Sequence, residues 1–454
     1  MLEKRSSPPL TLQALQSDCL IGYLVFRPRK GIWIHGHSRI LISMSIASKL
    51  EGQGISRGWL VISAPFLAYA LTVGTGQYAF GLFVDPLEAE FGWNRTQINA
   101  SLSFTAVGSL AAPFIGRYMD RHGARMVMTV SIMLIGLSFL LRPLMTELWQ
   151  WYALSFLQFI GFAGGSILPA GRLVGIWFRK TRGRVMGITA MGNNFGGLTF
   201  PLLTGLLFAL GSWRGAYITY GVLAFIVAAF AFAVVRENPN QYSSSSNKSQ
   251  RNATTVVLTG WTLKEALHSR SFYFIALTIM LGTFTYSAVL PQIISHLTNE
   301  GIPRGSATLG LSMVALFGML GKFLMGYLAE RITARYALMI DLTGQATFLM
   351  ALLFVGLTPW LMWVIIPFFG FFLGAFGALF QVIVQDAFGI KNFGSIMGII
   401  NITMVVSFGL GPLLAGITFD MTGNYQVAFI TVACFFVIGV LSLTQAKTTA
   451  REAT

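Results

Sequence analysis

Charged residues are scarce in this chain of 454 residues, and acidic ones especially. Asp, Glu, Lys and Arg make up 10% of the residues, and 31 Lys and Arg outnumber 16 Asp and Glu. Soluble domains carry about 25% charged residues, so this composition excludes an ordinary soluble domain. With 54% hydrophobic residues and a mean hydropathy of +0.68, the sequence predicts an integral membrane protein.

Cysteine and histidine are also rare, with two and five copies. Cys19 and Cys434 lie at opposite ends of the chain, which excludes a disulfide framework or a cysteine metal site. The sequence has no histidine-rich segment, no pair of acids at catalytic spacing and no isolated Ser/His/Asp arrangement. We therefore predict no metal, no cofactor and no enzymatic activity.

The net charge of +15 raises the question of a nucleic-acid partner. The basic residues lie between apolar segments, where they specify membrane topology, so no nucleic-acid partner is predicted. Loops on one side of the predicted membrane hold most of them, whereas the opposite side holds only Arg95, Arg142, Arg214 and Arg304. Because cytoplasmic loops are the more basic ones, we predict a multi-pass protein of the cell membrane with both termini in the cytoplasm.

Long apolar segments are what the sequence has in abundance. A helix needs about 20 apolar residues to cross the hydrocarbon core of a bilayer, and twelve segments of that kind follow one another. We predict an all-α membrane fold in which each segment is one transmembrane helix. The predicted helices cover residues 59–84, 97–116, 126–145, 149–178, 184–210, 214–235, 271–297, 306–329, 336–357, 359–388, 394–418 and 425–445.

A polar stretch divides these segments into two sets of six. Residues 236–270 include the sequence NPNQYSSSSNKSQRNATT, which is typical of a flexible linker and is predicted to be cytoplasmic. We predict an N-terminal six-helix bundle at 59–235, a C-terminal one at 271–445 and a cytoplasmic tail at 446–454. Residues 1–58 form either a disordered cytoplasmic segment or a misassigned start, with translation beginning near Met44.

The two halves repeat each other at a fixed offset. FIGRYMDRHGAR (114–125) matches LMGYLAERITAR (324–335) at a shift of 210 residues, and PLLTG (201–205) matches PLLAG (412–416) at a shift of 211. Internal repeats are typical of secondary transporters, which bind their substrate near the middle of the membrane between the repeats. The repeat therefore predicts a transporter with a site between the two halves.

The loop after the second predicted helix, GRYMDRHGAR, resembles the G-x-x-x-D-R-x-G-x-R signature of the major facilitator superfamily, and the second half carries a degenerate copy. The resemblance implies the two-bundle fold of that superfamily and a cytoplasmic gate. Glycine permits close helix approach there, and the acid pairs with basic residues and helix ends. Alternatively, the charges only mark a cytoplasmic turn. The gate residues are Gly116, Asp120, Arg121, Gly123 and Arg125, with Gly326, Glu330, Arg331 and Arg335 in the second copy.

Further segments resemble two branches of that superfamily, the monocarboxylate porters and the oxalate/formate antiporters; they are residues 78–104, 173–197, 212–221 and 290–302. In these families helix 8 carries a basic residue, usually arginine, that binds the substrate carboxylate, and Lys322 occupies that place. Lys322 lies eight residues before Glu330, about 12 Å deep at ~1.5 Å per residue. A charge at that depth is costly, so we predict an anion-binding residue. The alternatives are a structural pair with an acid and a side chain that snorkels to the interface.

The chain also departs from these families. Proton-coupled porters hold an aspartate one turn before the basic residue, where this chain has Gly318, and their helix 1 lysine falls near Gln77. The second cation of oxalate exchangers has no counterpart in residues 393–414. A single buried cation favours a small monocarboxylate over a dianion. We therefore predict a secondary transporter of a small organic anion that works by alternating access, as a proton symporter or an anion exchanger.

Other polar and aromatic residues in the predicted helices are candidates for the substrate path, although helix–helix hydrogen bonding is the commoner explanation for any one such residue. Two other functions stay open: a major facilitator carrier for drugs or inorganic anions, and a transporter-like sensor. The predicted partners are a small carboxylate, protons and the lipid bilayer, and the chain is predicted to act as a monomer. The path candidates are Gln77, Tyr78, Asn193, Asn194, Tyr286 and Asn401, with Asp341 as the candidate proton carrier.

Overall fold

The structure, a computed structural model, describes residues 57–178, 180–237 and 259–446. These residues form twelve long helices, which confirms the predicted fold class. Residues 1–56 of the predicted N-terminal segment, most of the linker and residues 447–454 of the predicted tail lie outside the described residues. The helices are Arg57–Tyr78 (α1), Gln97–His122 (α2), Ala124–Leu144 (α3), Leu148–Trp177 (α4), Arg182–Leu210 (α5), Trp213–Val234 (α6), Arg270–Asn299 (α7), Arg304–Ile332 (α8), Ala334–Leu352 (α9), Pro359–Phe388 (α10), Phe393–Thr422 (α11) and Gln426–Gln445 (α12).

Within the described residues, eleven of these helices are long and apolar enough to cross a membrane, and α9 is the more polar twelfth. Its Asp341 and Gln345 are fully buried, so its polar side chains face the protein interior. Helix α9 was predicted to continue to residue 357, but residues 353–357 form turns. Gly356 and Pro359 disfavour a helix there, which explains the earlier end.

Helices α1 and α7 are both broken, and at equivalent places. A π-helical turn occupies Gly74–Tyr78 in α1 and Thr285–Val289 in α7, and these turns are 211 residues apart, as the repeat requires. A short 3-10 turn follows in each case, Phe80–Phe83 after α1 and Leu290–Gln292 within α7. The predicted end of the first helix at residue 84 is therefore wrong, because the backbone leaves the α-helical path after Val73. The internal repeat is therefore also present in the irregular backbone, because each half has a π-helical turn followed by a 3-10 turn.

The two halves, α1–α6 and α7–α12, pack against each other mainly through α2 on α11 and α5 on α8. We call these the two crossings. The end of the bundle where α2 carries Asp120 and α8 carries Glu330 is called the motif end. Both crossings lie toward that end, so the halves are in contact there.

Candidate functional site

Both crossings depend on glycine at the motif end. A β-carbon added to Gly116 on α2 would lie 2.0 Å from the carbonyl oxygen of Gly394 on α11. One added to Gly183 on α5 would lie 2.1 Å from the carbonyl oxygen of Gly326 on α8. Distances this short are far inside van der Waals contact, so any side chain at these positions would push the helices apart.

Asp120 ties the end of α2 to the beginning of α11. Its carboxylate accepts hydrogen bonds from the backbone N–H groups of Gly394 (3.0 Å) and Ser395 (2.7 Å) and from the Ser395 hydroxyl (2.6 Å). Arg172 pairs with Asp120 at 2.9 Å and with Glu237 at 2.8 Å. A carboxylate at a helix N-terminus satisfies free N–H groups and the helix dipole. The motif acid is therefore a cap that links the two halves.

Glu330 makes the equivalent link at the other crossing. Its carboxylate accepts from the backbone N–H of Arg184 at 2.8 Å, at the beginning of α5, and from Nε of the same residue at 2.8 Å. A second ion pair beside it joins Arg182 to Asp386. Because Arg184 and Ser395 are 211 residues apart, the repeat places both caps on matching helix ends.

The remaining motif residues lie on the outside of the same end. Arg125 donates from Nε to the Phe232 carbonyl oxygen (2.7 Å), and Arg335 donates to the Thr444 carbonyl oxygen (2.6 Å), so each arginine holds the last helix of its half. Arg331 donates to the Tyr327 hydroxyl at 2.7 Å, Arg121 is exposed, and Gly123 has a φ of +88° in the turn between α2 and α3.

Lys322 lies in the α5–α8 crossing and is 4% exposed. Its Nζ donates to the Ala190 carbonyl oxygen at 3.0 Å and to Oδ1 of Asn194, both on α5. The side chain does not reach the interface by snorkelling, and it forms no ion pair with a described carboxylate. A cation held only by neutral oxygens is able to accept an anion.

The backbone of α10 fills the space beside Gly318, where proton-coupled porters hold an aspartate. A β-carbon at Gly374 would lie 2.3 Å from the Gly318 Cα, and one at Gly318 would lie 3.2 Å from the Gly370 carbonyl oxygen. A side chain at residue 318 would press against the backbone of α10, which approaches α8 closely at this place.

Of the path candidates, Asn194 is the one seen in contact with Lys322. Gln77 is exposed and Tyr78 is 43% exposed, with the Tyr78 ring against Gly197 of α5. Tyr286 is half-buried and donates its hydroxyl hydrogen to the Leu373 carbonyl oxygen at 2.8 Å. Both tyrosines lie in the π-helical turns of α1 and α7, and such turns are frequent at functional sites.

Two of the remaining candidates, Asn401 and Asp341, are buried. Asn401 is 3% exposed on α11, and Oδ1 of Asn193 is buried without a hydrogen-bond partner among the described residues. Asp341 is fully buried on α9 and accepts from Nε2 of Gln345 at 2.9 Å. Its second oxygen, Oδ1, has no partner in the described part of the chain. No group of three or more His, Cys, Asp or Glu residues in that part could hold a metal ion.

Two glutamines outside the predicted path also join the halves. Gln381 of α10 donates to the Tyr69 hydroxyl at 2.9 Å, and Gln385 donates to the Gly171 carbonyl oxygen at 3.1 Å. Both are essentially unexposed. Their i, i+4 spacing in an apolar helix, which puts both amides on one face, was the available signal.

Arg142, one of the basic residues predicted for the non-cytoplasmic side, lies in the 3-10 turn that ends α3 and is buried. It is 3% exposed, and its Nη2 donates to Oε1 of Gln158 at 2.7 Å and to the Ser155 hydroxyl at 3.2 Å. The guanidinium lies 4.4 Å from the Trp151 ring centroid and 4.8 Å from that of Tyr217. Aromatic faces stabilise a buried arginine, so this cation is held inside the N-terminal half.

The fold and the crossings define a two-repeat helical membrane transporter. The chain belongs to the Major Facilitator Superfamily, whose family model matches residues 66–404. The family and fold are those of transporters, and nothing in them indicates catalysis.

Similar proteins carry several kinds of substrate. The chain is 23% identical to monocarboxylate transporter 12 of Xenopus laevis over 82% of this chain and 85% of that one. It is 22% identical to the hexuronate transporter of Bacillus subtilis (83% and 87%) and 23% identical to the riboflavin transporter MCH5 of Saccharomyces cerevisiae (85% and 78%). Its fold is similar to that of the proton:xylose symporter XylE, with a TM-score of 0.69 at 14% identity over 87% of this chain and 98% of that one.

Proposed function

We propose that this transporter carries a small monocarboxylate by alternating access and that Lys322 binds the carboxylate. The observation that carries the proposal is a buried ammonium group at a crossing between the halves, held by neutral oxygens and by no described carboxylate. Intramembrane charges are found where they pair or face a substrate pathway. A substrate carboxylate supplies the missing negative charge.

The similar proteins support an organic acid without deciding it. A monocarboxylate transporter and a hexuronate transporter, both named for acids, are among the relatives. A riboflavin transporter is another, and the fold is shared with a xylose symporter. The buried cation is what favours an anion over those substrates, so the charge of Lys322 is the feature to test first.

The coupling of transport is proposed as either proton symport or anion exchange. The aspartate that proton-coupled porters hold near the basic residue is replaced by Gly318, against which α10 packs closely. Asp341 is the candidate proton carrier, because it is a buried carboxyl group whose one described partner is the neutral amide of Gln345. An ionised carboxylate is costly in such a place, and proton uptake relieves that cost.

We also propose that the motif end faces the cytoplasm. The turns at that end carry the basic residues of both motif copies, among them Arg121, Arg125, Arg331 and Arg335. The positive-inside rule places such turns in the cytoplasm. In the conformation seen here, the contacts at that end must therefore open before a substrate enters the cytoplasm.

Uptake into proteoliposomes tests the substrate and the site together. The labelled substrates are formate, acetate, lactate, pyruvate and oxalate, with xylose and riboflavin as neutral comparisons, each with and without an imposed pH gradient. The variants are Lys322→Ala, which removes the charge, and Lys322→Arg, which retains it. Lys264→Ala, at an exposed lysine of the short helix Leu263–His268, is the matched control.

We expect uptake of a monocarboxylate by the wild type, by Lys322→Arg and by the control, and no uptake by Lys322→Ala. Stimulation by the pH gradient indicates symport, and dependence on internal carboxylate indicates exchange. If no carboxylate is transported, or if Lys322→Ala transports as fast as the wild type, the proposed substrate and site are wrong. Uptake of xylose or riboflavin would place the chain with the carriers of neutral substrates.

A further inference from the structure

The ammonium group of Lys322 belongs to the C-terminal half, but both of its acceptors belong to the N-terminal half. Nζ donates to the Ala190 carbonyl oxygen and to Oδ1 of Asn194, which both lie on α5. The amide Nδ2 of Asn194 donates in turn to the Ala315 carbonyl oxygen of α8 at 2.7 Å. Three hydrogen bonds therefore connect α5 and α8 at this level.

These bonds lie where the two helices approach closely. A β-carbon at Gly187 of α5 would lie 2.2 Å from the carbonyl oxygen of Lys322. When the halves separate at the motif end, α5 moves away from α8 and Nζ loses both acceptors. An ammonium group without acceptors is costly in an apolar environment. In the empty carrier, Lys322 therefore opposes the opening of this crossing.

The other crossing shows that packing does not require these polar residues. Ala112 stands at the place of Lys322 and Val405 at the place of Asn194, at shifts of 210 and 211 residues. A β-carbon at Gly398 would lie 2.7 Å from the Ala112 carbonyl oxygen, so the α2–α11 approach is similarly close. The polar pair is an addition to a crossing that is also built without it.

We propose that Asn194 competes with the substrate for Lys322. Its Oδ1 occupies the ammonium group in the empty carrier, and the substrate carboxylate displaces it and releases α5 from α8. This inference rests on the proposed function, since it takes Lys322 as the anion-binding residue. A charged carboxylate is a stronger acceptor than a neutral amide oxygen. The loaded carrier therefore opens at the motif end more readily than the empty one, and exchange across the membrane is faster than net flux.

Two substitutions at Asn194 test the competition in opposite directions. Asn194→Asp puts a carboxylate of the same shape beside Lys322, where it cannot diffuse away. We expect the motif end to stay closed with or without substrate and exchange to fall roughly 10- to 100-fold, since hydrogen bonds between charged groups are the stronger ones. Asn194→Leu removes the competitor. We expect it to open without substrate, so that net efflux approaches the rate of exchange.

The conformation is measured as a distance between spin labels in proteoliposomes, with and without lactate. Cysteines replace His122 and Tyr336, which are exposed at the motif end in different halves, in a background of Cys19→Ser and Cys434→Ser. We expect lactate to lengthen this distance in the wild type and not in Asn194→Asp. Adding Lys322→Met to Asn194→Asp should abolish the persistent closure, because the closure requires the ammonium group.

Two results overturn the competition alone: a lactate response in Asn194→Asp equal to that of the wild type, or closure that persists in the Asn194→Asp/Lys322→Met double variant. Failure of the proposed function gives a different result. In that case no carboxylate of the uptake panel changes the wild-type distance, and Lys322→Ala transports normally, which overturns both proposals. A variant that does not fold is recognised by its loss of helical circular dichroism. Asn194→Gln with the same labels then replaces it. We expect a weakened lactate response in this variant, and an unchanged response would contradict the proposal.

Discussion

The α2–α11 and α5–α8 crossings are built alike at the motif end and differ one helical turn further into the membrane. Each has a glycine pair in contact and a carboxylate that caps the opposite helix, Asp120 at one and Glu330 at the other. One turn further in, the first crossing has Ala112 where the second has Lys322. We infer that the features shared by both repeats serve the rocking of the halves. The proposed function assigns substrate recognition to Lys322, the feature present at one crossing only.

Replacing the lysine makes the second crossing resemble the first, and we expect the largest effect on transport there. Lys322→Met keeps the length of the side chain and removes its charge. A buried ammonium group without a paired carboxylate carries a desolvation cost, which an apolar side chain removes. We therefore expect no measurable transport, together with a thermal unfolding midpoint at or above that of the wild type, measured by tryptophan fluorescence in detergent. A lowered midpoint would assign Lys322 to stability instead of transport.

The glycine contacts are shared by both crossings, so breaking either should have the same consequence. Gly116→Ala would place a β-carbon 2.0 Å from the Gly394 carbonyl oxygen, and Gly326→Ala would place one 2.3 Å from that of Gly183. Overpacking of this kind costs about 1–3 kcal/mol. We expect transport to fall roughly 10- to 100-fold in both variants. The spin-label distance at the motif end should lengthen without substrate.

Gly409→Ala on α11 is the control for the glycine variants, because no atom lies within 4 Å of the added β-carbon. It should transport normally, since alanine also favours the helix. If Gly116→Ala transports normally and Gly326→Ala does not, the two glycine contacts have unequal roles and the crossings are not equivalent.

The two caps lie at equivalent positions of the repeat but make different numbers of hydrogen bonds. Asp120 accepts three hydrogen bonds from the beginning of α11 and pairs with Arg172, whereas Glu330 accepts two, both from Arg184. Losing a capping carboxylate costs about 0.5–2 kcal/mol. We expect Asp120→Asn to lower the transport rate about tenfold and Glu330→Gln about threefold.

Asp420→Asn is the control for the caps, since this exposed acid lies at the opposite end of α11. Its transport rate should equal that of the wild type. If Glu330→Gln lowers the transport rate more than Asp120→Asn does, the number of hydrogen bonds does not determine how much each cap contributes.

The fold was predictable because each apolar segment satisfies its own backbone hydrogen bonds and crosses the membrane as one helix. Hydrophobicity does not distinguish an α-helix from a π-helical or 3-10 turn. For that reason the sequence predicts a first helix that runs to residue 84, whereas α1 ends at Tyr78. The degenerate repeat carried more information than any single segment, since it matched both caps and both glycine contacts.

The candidate site was predictable in part. Lys322 stands out in the sequence because it is a charge inside an apolar run. Its partner Ala190 contributes a backbone carbonyl oxygen, which no sequence pattern indicates. Arg142 falls near the end of the predicted helix 126–145, where a basic residue is typical of the membrane interface, and its burial depends on rings from α4 and α6. The partner of Lys322 and the burial of Arg142 both depend on contacts between distant segments. A single sequence does not reveal such contacts.

The smallest expected effect concerns a turn in which the two repeats differ. Gly123 between α2 and α3 has a φ of +88° and ψ of 162°, and Thr333 stands at the equivalent place between α8 and α9 with a φ of +81° and ψ of 151°. A β-branched residue is strained by about 1–3 kcal/mol in this region, which suits glycine alone. Thr333→Gly relieves the strain, but glycine loses more conformational entropy on folding, which costs about 0.5–1 kcal/mol. We expect the unfolding midpoint to rise by about 1–3 °C with unchanged transport.

Thr181→Gly is the matched control for that substitution, because Thr181 precedes α5 with an ordinary φ of −122°. It should lower the midpoint slightly, since glycine brings only its entropic cost there. Equal shifts in the two variants would show that Thr333 is not strained. A rise in Thr333→Gly alone would show that Thr333 is strained in a backbone conformation that the equivalent glycine, Gly123, adopts without strain.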